Sequence, residues 1–440
     1  MKHESIEGIE RFESAGKGRG LRATRPYRIG ELLFSCPSFS HVLSVSERGY
    51  LCEHCFTRKE GLAKCGKCKK AFYCNVECQK ADWVMHKLEC SAMCAFGENW
   101  CPSETVRLVA RIIATQVSII ITAADQQSML CLREEYLDKL DNEKRDMNEA
   151  DIAGLHHFYS KHLQFPDHQD LLTLFAQVNC NGFTVEDEEL SHLGSAVFPD
   201  VALMNHSCCP NAIVTYRGTL AEVRAVQDVS AGDEILTSYI DLLYPTEDRI
   251  ERLRDSYYFS CDCRECKTKS KDKAKMKLRK LNEGPRTEEI REMVRYARII
   301  IDDFRRAKHE KNILFTTSPP AELLEMCELS MDKMGAVFDD TNVYMLHMMY
   351  QAMGVCLFTE DYDSALSYGE KVIKPFSQLY PAYSLNVASM YLKLGRLYGA
   401  LGRPSAGSNA LKKALDIMEV VHGKEHTYVQ ELQKEITRQK

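Results

Sequence analysis

Cysteine and histidine residues are concentrated between positions 52 and 90, where their side chains could bind metal ions. The spacing C-x2-C-x9-C-x2-C-x5-C-x3-C-x7-H-x3-C is formed by Cys52, Cys55, Cys65, Cys68, Cys74, Cys78, His86 and Cys90. Thiolate and imidazole are ligands that Zn²⁺ prefers, and eight of them complete two tetrahedral sites with no position left for water. We therefore predict two structural zinc ions here and no hydrolytic zinc centre. Cys74 and Cys78, like His86 and Cys90, are four residues apart, so a helix would place each pair on one face.

A second group of polar and cysteine residues follows between positions 205 and 266. It comprises Asn205-His206-Ser207-Cys208-Cys209-Pro210-Asn211, the turn Gly232-Asp233-Glu234 with Tyr239, and the spacing Cys261-x-Cys263-x2-Cys266. An earlier glycine-rich stretch, Gly16 to Gly20, could suggest a nucleotide loop or an ordinary turn. A dinucleotide-binding loop should open a helix, whereas Leu21 to Phe34 contains Pro26, Gly30 and strand-like stretches. The pattern therefore argues against a Rossmann-type site.

Short strands are predicted on both sides of a helical segment. The strand-like runs are Ile9 to Phe12, Gly20 to Ala23, Glu31 to Phe34, Ala212 to Tyr216, Leu220 to Ala225 and Glu234 to Tyr239. From Glu104 to about Leu163 the apolar residues follow a helical period, with Leu108, Ile112 and Ile113 on one face. A helical segment thus interrupts a β-rich region.

The last third of the chain is predicted to be helical. The lysine-rich run Lys267 to Lys280 is interpreted as a solvated linker or helix face. Beyond Pro320, Gly354 and Ala365 recur as Gly395 and Ala406, which is a repeat of about 41 residues. Such a repeat is typical of a tetratricopeptide-like array, which either presents a concave binding face or supports the rest of the chain by packing.

Length and composition limit the class of protein. A chain of 440 residues exceeds the usual size of one hydrophobic core, so two to four domains are expected. The 19 cysteines, many in C-x2-C pairs and without a signal-peptide run, indicate reduced metal ligands and not a disulfide scaffold. The net charge of −6 lacks the basic surface that direct nucleic-acid binding requires. The longest apolar stretch, Val117 to Ala124, is too short to span a bilayer, so no membrane association is expected.

The motifs, taken in order, resemble those of the SET-domain lysine methyltransferases. A MYND finger after the first SET strands, together with a helical C-terminal array, resembles the SET and MYND domain-containing family over nearly the whole chain. The resemblance implies a multidomain α+β fold, in which a β-rich SET fold is interrupted by a zinc-binding MYND finger and a helical insertion. The implied segments are the N-terminal SET segment (residues 1–49), the MYND finger (50–92), the insertion (93–179), the core SET domain (180–244), the post-SET segment (245–272) and the helical tetratricopeptide-like domain (273–440).

The resemblance also implies three structural zinc ions. One would be held by Cys52, Cys55, Cys74 and Cys78, and the second by Cys65, Cys68, His86 and Cys90. The third would be held by Cys208, Cys261, Cys263 and Cys266. Cys209 remains the alternative to Cys208 as the first ligand of that third site.

Carried onto this sequence, the resemblance places S-adenosylmethionine as the methyl donor against residues from several segments. They are Lys17, Gly18 and Arg19 of the glycine-rich stretch, Asn205 and His206 of the central motif, Tyr257, Tyr258 and Phe259, and Tyr136 on the adenine side. Tyr239 is the predicted catalytic residue, and it would wall the lysine channel together with Tyr257 and Phe183.

The implied reaction requires a neutral lysine amine, although a free lysine has a pKa of about 10.4. A desolvated aromatic channel next to a sulfonium cation would lower that pKa through burial and like charge. Alignment of the reacting atoms can lower the activation barrier by about 7–11 kcal/mol. The acidic stretch Glu186 to Glu189 either favours lysine-rich peptides or forms a solvated loop.

Partners and location are likewise implied by the resemblance. It suggests lysine-containing substrates, namely histone tails and non-histone regulators of transcription, in cytoplasm and nucleus, and proline-rich peptides bound by the MYND finger. The alternative is a scaffold whose finger and helical array recruit peptides while the SET fold is only structural. Asn205, His206 and Tyr239 are all present, which favours the enzyme.

Overall fold

The computed structural model describes residues 6–118, 142–280, 284–310 and 319–438 of the chain. Within them the strands are β1 (Ile9–Ser14), β2 (Gly18–Ala23), β3 (Leu32–Pro37), β4 (Ser40–Leu43), β5 (Ala63–Lys64), β6 (Phe72–Tyr73), β7 (Gly182–Glu186), β8 (His192–Val197), β9 (Asn205–His206), β10 (Ala212–Arg217), β11 (Leu220–Ala225) and β12 (Leu236–Thr237).

The helices of the described residues fall into two groups. The first group is α1 (Val76–Phe96), α2 (Glu104–Ser118), α3 (Asn142–Tyr159), α4 (His168–Asn181), α5 (Thr246–Tyr257), α6 (Arg264–Thr268) and α7 (Asp272–Lys275). The second group is α8 (Thr287–Glu310), α9 (Pro320–Met334), α10 (Val343–Phe358), α11 (Tyr362–Leu379), α12 (Leu385–Ala400), α13 (Pro404–Val421) and α14 (Thr427–Arg438). None of these described helices combines the length and the apolar character that crossing a membrane requires.

Small sheets share one core in the β-rich body. Two three-stranded antiparallel sheets have the orders β10-β11-β3 and β4-β8-β7, and the hairpin β1-β2 lies beside them. Leu21, Phe34, Val185, Phe198 and Val223 are buried together between these sheets. Together with the two groups of helices, this body forms the predicted α+β architecture.

The glycine-rich stretch is the turn of the β1-β2 hairpin. Ser14 pairs with Gly18 at the end of the ladder, and Gly16 and Gly18 have φ angles of 75° and 80°. Side chains rarely adopt such angles, so the glycines permit this turn. No helix begins here, in agreement with the argument against a Rossmann-type site.

The predicted strand from Glu234 to Tyr239 is shorter than expected. Only Leu236 and Thr237 form a ladder, in parallel with Asn205 and His206 of β9. The neighbouring backbone groups bind elsewhere, since the Leu236 amide donates to Asn211 Oδ1 and the Tyr239 amide donates to His206 Nδ1. Side-chain acceptors thus bind two amides of the predicted strand, while the Ile235 amide donates to the Leu21 carbonyl.

The finger consists of the β5-β6 hairpin and α1. His86 and Cys90 lie on α1, whereas Cys74 precedes the helix, so the prediction that Cys74 and Cys78 share a helix face is wrong. Asn75 caps α1 by accepting a hydrogen bond from the Cys78 amide, which starts the helix after Cys74. The helix continues to Phe96, beyond the predicted boundary at residue 92.

A buried ion network joins the finger to the insertion. Arg107 of α2 donates to Glu89 of α1 at 2.8 Å and to the Leu43 carbonyl at 2.6 Å. Arg111 binds Asp82 at 3.1 Å and Glu89 at 3.0 Å. These four charged side chains are at most 3% exposed, so buried contacts fix the finger to the insertion.

The C-terminal domain is a series of helical hairpins. Helices α10 and α11 pack together, as do α12 and α13, and Gly354 and Gly395 occupy the first helix of successive hairpins. The predicted repeat therefore corresponds to two consecutive helix pairs. One core is centred on Leu346, Met353 and Leu394, and a second one lies under α14.

Most lysines of the run Lys267 to Lys280 are exposed, as predicted, but two of them bind backbone groups. Lys275 is 1% exposed, and its Nζ donates to the carbonyls of Leu242 and Tyr244, both at 2.8 Å. Lys271 donates to the Leu379 and Tyr380 carbonyls of the C-terminal domain. The prediction of solvated lysines is therefore wrong for Lys275 and in part for Lys271, which bind backbone acceptors.

Candidate active site and zinc centres

Two groups of ligands come together in the finger. Cys52, Cys55, Cys74 and Cys78 form one group, and Cys65, Cys68, His86 and Cys90 form the other. Zinc–sulfur bonds of about 2.3 Å in a tetrahedron put neighbouring sulfurs about 3.8 Å apart. The Sγ atoms of Cys55 and Cys74 are 3.7 Å apart and those of Cys65 and Cys90 are 3.8 Å apart, so the side chains fit the two ions.

A third group of thiols lies beneath the post-SET segment. Cys208 joins Cys261, Cys263 and Cys266, with all four sulfurs within 4.8 Å of one another. The structure thus places Cys208 in the cluster in preference to Cys209. Four thiolates complete a tetrahedral zinc coordination, and this closure indicates a structural ion.

Asn205 lies at the centre of the predicted cofactor site. Its Nδ2 donates to the Arg19 carbonyl at 3.0 Å and to Glu234 Oε1 at 2.8 Å. The other Glu234 oxygen accepts from Lys17 Nζ at 3.1 Å. Since both amide hydrogens of Asn205 are bound by protein, its Oδ1 is left as an acceptor for an amino group.

Both ring nitrogens of His206 are occupied by protein groups. Nδ1 accepts the Tyr239 amide hydrogen at 3.0 Å, and Nε2 lies 3.3 Å from Cys208 Sγ. The ring therefore connects the cofactor side to the third thiol cluster. Only the backbone and the ring face of His206 are therefore left to contact a cofactor.

The remaining predicted cofactor residues differ in placement. The Phe259 ring lies 5.9 Å from that of His206 and 6.3 Å from that of Tyr239. Tyr258 has a φ of 62°, and its ring faces Lys144 of the insertion at 4.9 Å. Tyr136 lies outside the described residues.

The side chains of the site fit S-adenosylmethionine in their chemistry. A Cβ atom on Gly20 would lie 3.0 Å from Glu234 Oε1 and Phe12 and 3.1 Å from Asn205 Nδ2, so a side chain here would crowd the groups that converge at this position. Asn205 Oδ1 suits the α-amino group, Lys17 suits the carboxylate, and aromatic faces suit a sulfonium.

Tyr239 stands between the cofactor residues and a cavity. Its ring lies 5.3 Å from His206 and 5.0 Å from Tyr257, and its hydroxyl donates to the Met204 carbonyl at 2.5 Å. Burial raises the pKa of Tyr239, as it does that of Tyr257. The Tyr239 hydroxyl therefore stays protonated at neutral pH and orients groups without acting as a base.

The cavity of about 630 Å³ lies between the SET body and the C-terminal domain. Phe183, Tyr239 and Tyr257 line it from the SET side, as the predicted channel requires, and Tyr350 and Tyr380 line it from the helical domain. Phe183 is held edge-on against Phe198 at 5.8 Å. The cavity therefore presents aromatic walls from both domains.

The acidic stretch Glu186 to Glu189 divides between two environments. Glu186 lines the cavity, where burial raises its pKa. Glu189 instead binds Arg396 at 2.6 Å and Tyr428 at 2.8 Å, while Glu188 lies 3.6 Å from His426. The interpretation as a solvated loop is wrong, because the C-terminal domain covers this turn.

Comparison with known proteins agrees with this architecture. Residues 52–90 match the family model of the MYND finger. The chain is 67% identical over 441 residues to the N-lysine methyltransferase SMYD2 of Gallus gallus and 66% identical over 438 residues to that of Homo sapiens. It is 69% identical over 438 residues to the N-lysine methyltransferase SMYD2-B of Danio rerio. In each of these alignments 99% of both chains is covered.

The chain belongs to the SET and MYND domain-containing lysine methyltransferase family. In this SET and MYND protein, sequence reasoning missed Glu234 as a site residue, although it lies in the Gly-Asp-Glu turn that was singled out. No local sequence pattern connects Glu234 with Lys17 and Asn205, because the three residues come from separate segments of the chain. Asp241 was also missed, and it lines the cavity while accepting a hydrogen bond from Tyr380.

Proposed function

We propose that this lysine methyltransferase modifies lysines in extended segments of histone tails and of non-histone regulators, in cytoplasm and nucleus, and so regulates transcription. The observation that carries the proposal is the position of Tyr239. It lies between the Asn205–His206 segment and a cavity walled by Phe183 and Tyr257. A long side chain entering this cavity would end beside the cofactor residues.

S-adenosylmethionine, when bound, supplies the methyl group from its sulfonium to the attacking amine. The protein's role is to hold the amine in line and to exclude water. The Tyr239 hydroxyl donates its hydrogen to the Met204 carbonyl, which leaves its oxygen lone pairs to accept from the amine. Tyr257 donates to the Tyr239 carbonyl at 3.5 Å and so supports the position of that residue.

Loss of the proton from the lysine ammonium is assisted by the walls of the cavity. Phe183, Tyr239 and Tyr257 replace water around the amine, and burial disfavours its charged form. The protonated Tyr239 cannot take this proton, so it leaves to solvent through the cavity mouth. We expect the rate to rise with pH as the neutral amine becomes more abundant.

The preference for basic segments is supported by carboxylates along the cavity. Glu186 and Asp241 line it from the SET side. They would attract lysine or arginine residues next to the modified lysine, which agrees with histone tails as substrates. The open space reaches Tyr383 and Asn386 of the helical domain, so more than one residue of an extended peptide could be accommodated.

Transfer of labelled methyl from S-adenosylmethionine to histone and cytosolic protein mixtures tests the function. The zinc-loaded native chain should label proteins, and Tyr239→Phe should reduce labelling on the order of 100-fold, as removal of an oriented hydroxyl typically does. Tyr398→Phe is the matched control, because its hydroxyl binds Glu370 far out on the helical domain. Its labelling should equal that of the native chain.

Binding of S-adenosylhomocysteine, measured by calorimetry, separates the possible failures. Cofactor binding without labelling by the native chain would place the substrate outside the mixtures tested. Absence of both would contradict the enzyme and favour a peptide-recruiting scaffold.

Recruitment of proline-rich peptides by the finger is a second, compatible function. Tyr50, Val76 and Trp83 are large side chains exposed on the finger, at 63%, 57% and 44%. Aromatic and apolar side chains of this kind bind polyproline segments. Trp83→Ala should abolish binding of a proline-rich peptide, measured by fluorescence anisotropy, while methyl transfer to a short lysine peptide continues; retained binding would contradict this function.

A further inference from the structure

Arg249 of α5 is a buried cation that the methyl-transfer site does not use directly. The residue is 2% exposed. A guanidinium taken out of water is strongly destabilising unless hydrogen bonds and negative charge compensate it. The groups around Arg249 must therefore provide that compensation.

Four acceptors surround the guanidinium, and two of them are thiols of the third cluster. Nε lies 3.3 Å from Cys208 Sγ, and Nη2 lies 3.8 Å from Cys266 Sγ. Nη2 also donates to Thr246 Oγ1 at 3.1 Å, and Nη1 donates to the Tyr244 carbonyl at 2.6 Å. Four thiolates around Zn²⁺ would carry a net charge of −2, which a neighbouring guanidinium reduces.

The Tyr244 carbonyl belongs to the segment that leads away from Tyr239. The same carbonyl accepts a hydrogen bond from buried Lys275 at 2.8 Å. The Tyr244 hydroxyl reaches His347 Nδ1 in the C-terminal domain at 2.8 Å. The segment 239–244 is thus held by the post-SET region at its backbone and by the helical domain at its side chain.

We propose that Arg249 is a positioning residue that stabilises the third zinc centre and fastens it to the segment 239–244. Its charge offsets that of the thiolates, and its planar fork reaches the thiolates and the carbonyl at once. The placement of Tyr239 then depends on an intact third centre. The inference rests on the proposed methyl transfer only where activity is measured.

The geometry distinguishes Arg249 from a lysine at the same position. An ammonium is a point charge on a flexible chain and cannot reach both sulfurs and the carbonyl together. Arg249→Lys should therefore retain the charge but lose some of the geometry. Arg249→Gln should lose both the charge and most of the contacts.

Release of zinc from the full-length, zinc-loaded chain to a chromophoric chelator is the decisive measurement. We expect one of the three ions to be released about tenfold faster from Arg249→Gln than from the native chain, with Arg249→Lys in between. Among the twelve predicted zinc ligands, alkylation followed by mass spectrometry should show the four cysteines of the third cluster reacting before those of the finger.

Arg298→Gln is the matched control. Arg298 also binds α5, through Asp248 at 2.7 Å and Glu251 at 3.0 Å, and these contacts involve carboxylates. Its zinc release should equal that of the native chain. In activity assays, Arg249→Lys should lower kcat for a lysine peptide, because the segment 239–244 that Arg249 holds carries Tyr239.

If both Arg249 variants released zinc at the rate of the native chain, the proposal would be overturned. The contact of Arg249 with the thiols would then contribute only packing. If Arg249→Gln does not fold, Arg249→Lys carries the same test. Faster zinc release without any methyl transfer by the native chain would support the role of Arg249 and contradict the proposed function, so the two failures are distinguishable.

Discussion

The contact between the finger and the insertion differs in character from one contact between the SET body and the helical domain. The finger interface, formed by Asp82, Glu89, Arg107 and Arg111, is buried, and Arg107 is 0% exposed. The helical-domain interface, formed by Glu188, Glu189, Arg396, His426 and Tyr428, has a principal ion pair whose side chains are 39% and 36% exposed. Both interfaces contain arginine and glutamate, but these side chains are buried only in the finger interface.

This difference determines how each interface responds to change. Charges in the dry finger interface cannot be separated without leaving an unpaired buried ion, which is strongly destabilising. Charges in the half-exposed interface are hydrated when they separate, so their net contribution is small. We infer that the finger interface tolerates the loss of a charge less well than the Arg396–Glu189 part of the helical-domain interface does.

The largest effect is expected from Glu89→Gln. This change leaves Arg107 and Arg111 without their shared carboxylate and should destabilise the body by about 3–5 kcal/mol. The measurement is the urea midpoint of the transition that includes the finger, with zinc present throughout. A loss below about 1 kcal/mol would show that water enters this interface and would remove the contrast with the helical-domain side.

An acid-dependent effect of intermediate size is expected at the helical-domain side. Burial, assisted by His426 and Arg224, lowers the pKa of His422 to about 3. Because the folded state keeps His422 neutral, its contribution is fully present above pH 6.5 and is lost as pH falls toward 3, by roughly 1 kcal/mol at pH 5.5. Hydrogen exchange in α13 should therefore accelerate between pH 7 and 5.5.

His422→Gln is the variant that tests this acid response. Glutamine does not titrate, so exchange in α13 should lose its dependence on pH in that range after correction for the intrinsic rate. The α2 helix of the finger interface is the internal reference. An unchanged pH dependence in the variant would assign the effect to His426 or to Glu188.

The smallest effect is expected from Arg396→Met. The pairs of Arg396 with Glu189 and Glu435 are half-exposed, so their loss should cost at most about 1 kcal/mol. Thermal unfolding at low and high salt is the measurement, and the native chain should lose the same increment in high salt. A loss comparable to that of Glu89→Gln would contradict the difference between the two interfaces.

Much of the fold could be predicted from local patterns in the sequence. Ligand spacing indicated the finger, the glycine-rich turn and the short strands were placed within a few residues, and the 41-residue repeat indicated the helical hairpins. These features depend on neighbours along the chain, where turn chemistry, periodicity and coordination geometry act over short distances. The helix face proposed for Cys74 and Cys78 failed because the Asn75 cap starts α1 after Cys74.

Predictions that required distant partners were less successful. The strand through Tyr239 was overextended, because His206 and Asn211 supply acceptors that no pattern around Tyr239 reveals. Lys275 was assigned to solvent, although the carbonyls of Leu242 and Tyr244 bury it. Contacts of this kind join segments more than 20 residues apart.

The sequence by itself determined which chemistry is available: two closed zinc sites in the finger, a third set of thiols, and the asparagine, histidine and tyrosine of a methyltransferase motif. Only the tertiary structure decided how these groups are oriented. It directed both amide hydrogens of Asn205 to Arg19 and Glu234, and it placed Arg249 between thiolates and the segment after Tyr239. Side-chain identity is encoded locally, but hydrogen-bond direction and burial depend on segments that meet only when the chain has folded.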